Sequence, residues 1–252
     1  MIKLSDFVAY TDDLLNIDQY YDYCPNGLQV EGKPEIASIV SGVTASLELI
    51  DAALEKQADA IIVHHGYFWK GDPPQITGMY RRRLHRLLVN DVSLMAYHLP
   101  LDDHIDVGNN AQIGKLLGFK MVGKFGIGSE AQLGCYGSLD KVLNPEQFAQ
   151  HLGKTLGRTP LHIAGSAREI NKVAWCTGAA QSYLAEASKL GVDAFITGEI
   201  SEQTVHIARE TNMHFYSTDH HATERYGIKA LGEHLSNQFA IKHQFIDIAN
   251  PV

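Results

Sequence analysis

Three short clusters in this chain bring imidazole and carboxylate close together: His64 and His65 in VHHG (63–66), His98 with Asp102 in HLPLD (98–102), and His220 with Glu224 in HHATE (220–224). Imidazole nitrogen combined with carboxylate oxygen suits zinc, iron, manganese or cobalt, whereas calcium and magnesium prefer all-oxygen shells. Such a mixed set does not choose among the transition metals. A glutamate can bridge two cations about 3.5–4 Å apart, and a water held between them is acidified toward a pKa of ~7, which yields hydroxide at neutral pH. Hydrolysis is the chemistry that follows.

Each cluster comes directly after a short apolar run. IASIVSGV (36–43), DAIIVHHG (59–66) and VSLMAYHLPLD (92–102) are separated by amphipathic stretches, and the same rhythm returns in NKVAWCTGAAQSYLAEASKLGVDAFITGEI (171–200) and MHFYSTDHHATE (213–224). This alternation predicts βαβ units around largely parallel sheets, with the clusters at the carboxyl ends of strands, where open α/β sheets bind ligands. Strand alternation predicts that His64 and His65 point to opposite sides, so that two neighbouring metal ions can use them. Pro100 ends its strand, and the LPLD loop then folds Asp102 back toward His98. A helix beginning near His221 sets His220 and Glu224 one turn apart.

The two runs of βαβ rhythm align without gaps at an offset of 134, Asp59 over Asp193 and Ile62 over Ile196; after a 12-residue shortening, an offset of 122 lays His98–Asp102 over His220–Glu224. The fold class expected is α/β, with two similar halves from an internal duplication packed around a central cleft. The boundaries read as 1–104 for the first half, 105–170 for a connector or short insertion (a helix near Asn109 and Asn110, the glycine-rich strand region GIGSEAQLGCYGSL, a helix after Pro145), and 171–252 for the second half.

Composition narrows the classes. The 252 residues are 45% hydrophobic and 20% charged, which is ordinary globular composition. With 21 basic and 29 acidic residues the net charge is −8, which disfavours a nucleic-acid partner. Cys24, Cys135 and Cys176 are odd in number and have no CxxC spacing, so neither a disulfide framework nor a zinc ribbon is indicated and a cytoplasmic location is expected. Asp6, Asp12 and Asp13 interrupt the start of the chain where a signal peptide needs an apolar stretch, and no run is long enough to span a bilayer. Gly153-Lys154-Thr155 looks like the end of a phosphate-binding loop, but Phe148 stands where its first glycine belongs.

The remaining candidates read as structural. His85, His151, His162, His206, His234 and His243 are expected to be hydrogen-bonded scaffold residues, while Asp103, His104 and His221 lie where they can orient ligands. Arg81, Arg82, Arg83 and Arg86 read as a solvated helix face, with a phosphate or nucleic-acid contact as the functional alternative. Tyr67, Phe68 and Trp69 can stack on a planar ring or pack against a neighbouring subunit, and Cys176 reads as core.

Taken in order, CPNGLQVEG (24–32), VHHG, HLPLD, GNN (108–110), TGE (197–199) and HHATE resemble the GTP cyclohydrolase 1 type 2 homolog family of Nif-three-like proteins over nearly the whole chain. The resemblance implies two α/β halves with a dinuclear metal centre in the cleft between them, and ring-shaped homohexamers. It implies that His64 and His65 ligate one divalent transition-metal ion each (Zn, Fe, Mn or Co), that Asp102 joins one and His220 the other, and that Glu224 bridges. His98 then serves as an auxiliary ligand or proton carrier, and His98 and Glu224 are the catalytic candidates. The substrate is a small molecule of unknown identity, nucleotide-like or cyclic-amide-like. The family name does not make GTP that substrate.

Overall fold

The computed structural model describes residues 1–127 and 132–252 and divides into two compact units, Met1–Gly108 with Gly227–Ala249, and Asn109–Tyr226 with Asn250–Val252. The first unit begins with β1 (Ile2–Lys3), α1 (Leu4–Leu15), β2 (Gly27–Val30), β3 (Glu35–Ile36) and β4 (Ser38–Thr44), and continues with α2 (Leu47–Glu55), β5 (Ala60–His65), α3 (Gly78–Val89), β6 (Ser93–Ala96) and α4 (Leu99–Asp103). The second contains α5 (Asn109–Leu117), β7 (Phe119–Phe125), β8 (Gly134–Leu143), α6 (Pro145–Leu156), β9 (Leu161–Ile163), β10 (Ile170–Trp175), α7 (Leu184–Ala187), β11 (Ala194–Thr197), α8 (Glu202–Thr211) and β12 (His214–Ser217). The first turns of α9 (His220–Phe239) belong to the second unit and the rest to the first, as does β13 (Lys242–Phe245).

In the first unit the strands run in the order β13-β4-β5-β6-β2, all parallel except β2. Their apolar runs are continuous because both faces are covered. Ile39, Val43, Ala60, Ile62 and Met95 pack on one side with Phe7 and Leu15 of α1 and Ile228, Leu231 and Leu235 of α9. Val40, Ile61, Val63 and Leu94, the intervening residues, pack on the other with Leu49, Ile50 and Ala53 of α2 and Leu84 and Leu87 of α3. Each fully buried aliphatic side chain contributes ~1.5–3 kcal/mol.

The second unit repeats this plan. Its order is β7-β8-β10-β11-β12-β9, with β10, β11 and β12 parallel. Val173, Trp175, Ala194, Ile196 and Tyr216 face α5 and α6, while Ala174, Phe195 and Phe215 lie in a second cluster with Leu184 of α7 and Ala208 of α8. Cys176 is buried in that second cluster, as core.

The internal repeat is visible in the registers. Ile39 pairs with Ala60 in the first sheet and Val173 with Ala194 in the second, both at the offset of 134. Ala60 pairs with Ser93 and Ala194 with His214, so the third strands correspond at 121. The sequence alignment, anchored on the histidines, used 122. The segment after β12 is one residue longer than that after β6, and a gapless comparison cannot see this.

Residues 105–170 supply α5, β7, β8, α6 and β9 to the second unit, and β13 pairs with β4 in the first. The division therefore differs from boundaries at 104 and 170. Periodicity shows where strands form and leaves open which sheet they join. Within the glycine-rich stretch predicted as strand, β8 starts at Gly134, and residues 128–131 lie outside the described residues.

Candidate metal centre

His64 and His65 end β5. That strand pairs with β4 as far as Thr44 opposite His65, but with β6 only as far as Ala96 opposite Val63. Beyond the end of β6 both imidazoles find room, and their centroids are 4.6 Å apart rather than on opposite sides of the sheet. Gly66 follows because a Cβ there would collide with Gln29 and Ala96. His64 is fully buried, and its Nδ1 lies 2.9 Å from the Tyr97 carbonyl oxygen. A carbonyl can only accept, so Nδ1 carries a proton and any metal contact falls to Nε2. That Nε2 is 3.6 Å from Oδ1 of Asp102. His65 Nδ1 is 3.1 Å from Thr44 Oγ1.

Asp102 arrives by a helical turn, not by the loop expected. Pro100 sits in the first turn of α4, where its missing N–H costs nothing, and the Leu101 and Asp102 amides donate to the His98 carbonyl. Asp102 is buried as a result. His98, His64 and His65 each offer a ring nitrogen within 4.8 Å of the others. His98 Nδ1 donates to Asp22 Oδ1 at 2.7 Å. Burial opposes the Asp22 charge, but the hydrogen bond and charge of His98, with Asn26 and the Leu99 amide, outweigh it and hold the carboxyl down to about 2. Nearby Cys24 is pushed up to about 12 by burial and by Asp22, so it stays a thiol.

In the second unit Asp219 adopts φ +84 and caps α9, its Oδ1 accepting from the Ala222 amide. The helix begins at His220 and brings His220 Nε2 to 2.9 Å from Glu224 Oε2, the one-turn convergence the spacing predicts. His220 Nδ1 lies 2.7 Å from Oε1 of Glu199. Burial alone would lower the His220 pKa, yet the hydrogen bonds and charges of Glu224 and Glu199 raise it to about 9. Two glycines make the space: a Cβ on Gly198 would strike the His220 backbone, and one on Gly178, at φ +68, would strike Glu224 Oε1.

Sequence patterns alone assign no role to Glu199, Asp22, Asn26 or Thr44. Glu199 and Asn26 lie inside TGE and CPNGLQVEG, two of the motifs that carry the family resemblance, and that was the available signal. The other histidines mostly behave as scaffold. His151 binds the Leu117 carbonyl, His162 binds His214, His234 binds Tyr10, His243 binds Ser41, His206 lies 3.4 Å from Glu202, and His85 is exposed. Asp103 accepts from the Tyr20 hydroxyl, and His104 Nδ1 accepts from the amides of Asp106 and Val107. The His221 amide donates to the Val252 carbonyl. Tyr67 is buried with its hydroxyl on the Ala45 carbonyl, Phe68 is exposed, and Trp69 meets His98 edge-on at 5.0 Å. Arg81, Arg82 and Arg86 are exposed on α3, with Arg86 paired to Asp51, and Arg83 lies over the Tyr67 ring. The three cysteines are buried thiols outside any disulfide. No helix of the described residues is long and apolar enough to cross a membrane.

These features define a mixed α/β protein whose histidine and carboxylate groups can hold metal ions. The chain belongs to the Duf34/NIF3 (NGG1p interacting factor 3) family, whose sequence model matches residues 2–251. It is 53% identical to a Pseudomonas aeruginosa protein named GTP cyclohydrolase 1 type 2 homolog, over 99% of each chain. A protein of the same name from Escherichia coli K12 is 48% identical over 99% of this chain and 100% of its own. Among solved structures, protein ybgI, described as of unknown function, superposes with a TM-score of 0.96 at 48% identity over the whole of both chains. A Thermus thermophilus protein does so with 0.88 at 32% identity, again over the whole of both chains.

Proposed function

We propose that this protein is a metal-dependent hydrolase in which His64, His65, Asp102, His220 and Glu224 hold two divalent transition-metal ions. One observation carries the reading: in each unit a strand-end histidine has Nδ1 committed to an oxygen, the Tyr97 carbonyl for His64 and Glu199 for His220, while Nε2 faces a carboxylate. Metal-ligating histidines almost always donate the other ring N–H to a carboxylate or carbonyl in this way. The donor set of imidazole and carboxylate fits zinc, iron, manganese or cobalt. When bound, such a pair supplies Lewis acidity and an acidified water.

The chain's own residues supply the rest. Asp102 and Glu224 bring negative charge that offsets the cations, and Glu224 is the bridging candidate. His98, fixed at Nδ1 by Asp22, has Nε2 for one of two exclusive roles, auxiliary ligand or proton carrier. The name shared by the curated relatives supports a nucleotide-like or cyclic-amide-like substrate. Ring-shaped homohexamers belong to the same reading. Exposed Ile76, Met79, Leu88 and Val89 on and beside α3 are apolar surface that a neighbouring copy would cover, and light scattering should report close to six times 27.8 kDa.

The test is elemental analysis of protein purified without added metal, followed by turnover on a panel of nucleotides, cyclic amides and esters. About two ions per chain and a metal-dependent activity lost in Glu224→Ala and Asp102→Ala, with circular dichroism unchanged, is the expected result. Two ions with no turnover on any substrate would instead identify a non-enzymatic metal-binding protein. Absence of metal uptake would overturn the reading altogether.

A further inference from the structure

Asp22 is a heavily engaged carboxylate beside His98, whose ring neighbours His64 and His65. Oδ1 accepts from His98 Nδ1 at 2.7 Å and from the Tyr23 amide at 2.6 Å. Oδ2 accepts from Asn26 Nδ2 at 2.9 Å and from the Leu99 amide at 3.0 Å. Four hydrogen bonds use the in-plane lone pairs of both oxygens. Asp22, Cys24 and His98 are near enough to one another to hold an ion, but a carboxylate so occupied is a poor ligand. Its geometry is that of an orienting group.

The clamp is doubled. Asn26, whose amide is anchored on Asp22, accepts the His98 main-chain N–H through Oδ1 at 2.7 Å. Ring and backbone of His98 are therefore fixed from one side. Trp69 meets the ring edge-on at 5.0 Å, and His64 and His65 stand 5.1 and 5.8 Å away by ring centroids.

An ionised carboxylate has no proton to give, so its partner nitrogen must carry one. We infer that Asp22 is a positioning residue that holds His98 in the Nδ1–H tautomer and so presents Nε2 as a third imidazole donor beside His64 and His65. The inference rests on the metal-binding reading for the use of that donor, but not for the tautomer. It also accounts for CPNGLQVEG, because Asn26 braces His98 while Gln29 braces the turn after His65 by accepting from the Tyr67 amide.

Nitrogen-15 correlation spectra of the histidine rings in metal-free protein at pH 8 test the tautomer, with the His98 signal assigned by its loss in His98→Gln. A protonated Nδ1 and an unprotonated Nε2 are expected, with reversion to the Nε2–H form in Asp22→Ala. A wild-type His98 protonated at Nε2 overturns the inference whatever the metal does. Titration with Co2+ then reads the donor through the visible ligand-field bands. Asp22→Ala and His98→Gln should each weaken uptake by ~10–100-fold, as loss of an outer orienting group does, and should shift the bands. Asp22→Glu should recover part of both. If wild type takes up two ions and both variants match it in affinity and spectrum, this inference fails and the metal-binding reading stands. If wild type takes up none, the metal-binding reading fails and with it the use of Nε2 as a donor, while the nitrogen-15 spectra alone decide the tautomer.

Discussion

Asp59 in the first unit and Asp193 in the second occupy the same place in the repeat and make the same two hydrogen bonds. Oδ2 of Asp59 accepts from the amides of Ala37 and Ser38, and Oδ2 of Asp193 from those of Asn171 and Lys172, each donor displaced by 134 residues. The correspondence continues on the main chain, where the Ser93 amide donates to Asp59 and the His214 amide to Asp193. Polar contacts as well as apolar periodicity are thus shared between the two units.

Asp59 leads to a stability prediction. Burial opposes its charge, but hydrogen bonds from Lys33 and the two amides win and hold its pKa below the usual carboxylate range. A carboxyl depressed in the folded state adds stability above its unfolded pKa of ~3.9, and that stability is lost as pH falls through the folded value. Asp59→Asn should lower stability by ~1–2 kcal/mol at pH 7. The deficit should shrink toward pH ~3.5, as read by urea midpoints. A pH-independent deficit would contradict the assignment.

His162 acts at higher pH. Its ring stacks on Tyr216 at 4.3 Å and bonds to His214, and burial, reinforced by His214, lowers its pKa below 6.5. The unfolded chain then takes up a proton first as pH drops, so stability should fall from about pH 6.5 downward. Replacing His162 by Gln should flatten that fall between about pH 7.5 and 5.5. Equal losses in variant and wild type would refute it.

Glu199→Gln tests the orientation of His220. The neutral amide keeps the shape but gives up the charge facing Nδ1. Metal affinity, measured by chelator competition, should fall ~10–100-fold while the melting temperature of metal-free protein changes little. Unchanged affinity would remove Glu199 from the site.

Gly178→Ala separates backbone strain from a collision. Gly191 has a similar φ, +66 against +68, with nothing within 4 Å of an added Cβ, whereas Gly178 faces Glu224. Gly191→Ala should cost only the left-handed backbone penalty, of order 1 kcal/mol. Gly178→Ala should cost ~1–3 kcal/mol more and also reduce bound metal per chain. Thermal melts of both variants, with metal analysis, check this, and equal effects would show that Glu224 simply moves aside.

Local patterns made much of this molecule legible in advance. Continuous apolar runs marked the strands of the parallel sheets, and the 134-residue offset marked the repeat. Four-residue spacing placed His220 against Glu224 because a helix fixes that geometry by itself. Other features depended on residues far apart in sequence. Whether β9 and β13 joined one sheet or another was settled by long-range pairing, and β6 ending short of β5 let His64 and His65 stand side by side. The partners of the key imidazoles are separated from them by 33 residues for Tyr97 and His64, 76 for Asp22 and His98, and 21 for Glu199 and His220. Hydrogen-bond partners such as these leave no periodic trace, because what unites them is the space at the ends of strands, and only the assembled sheet creates that space.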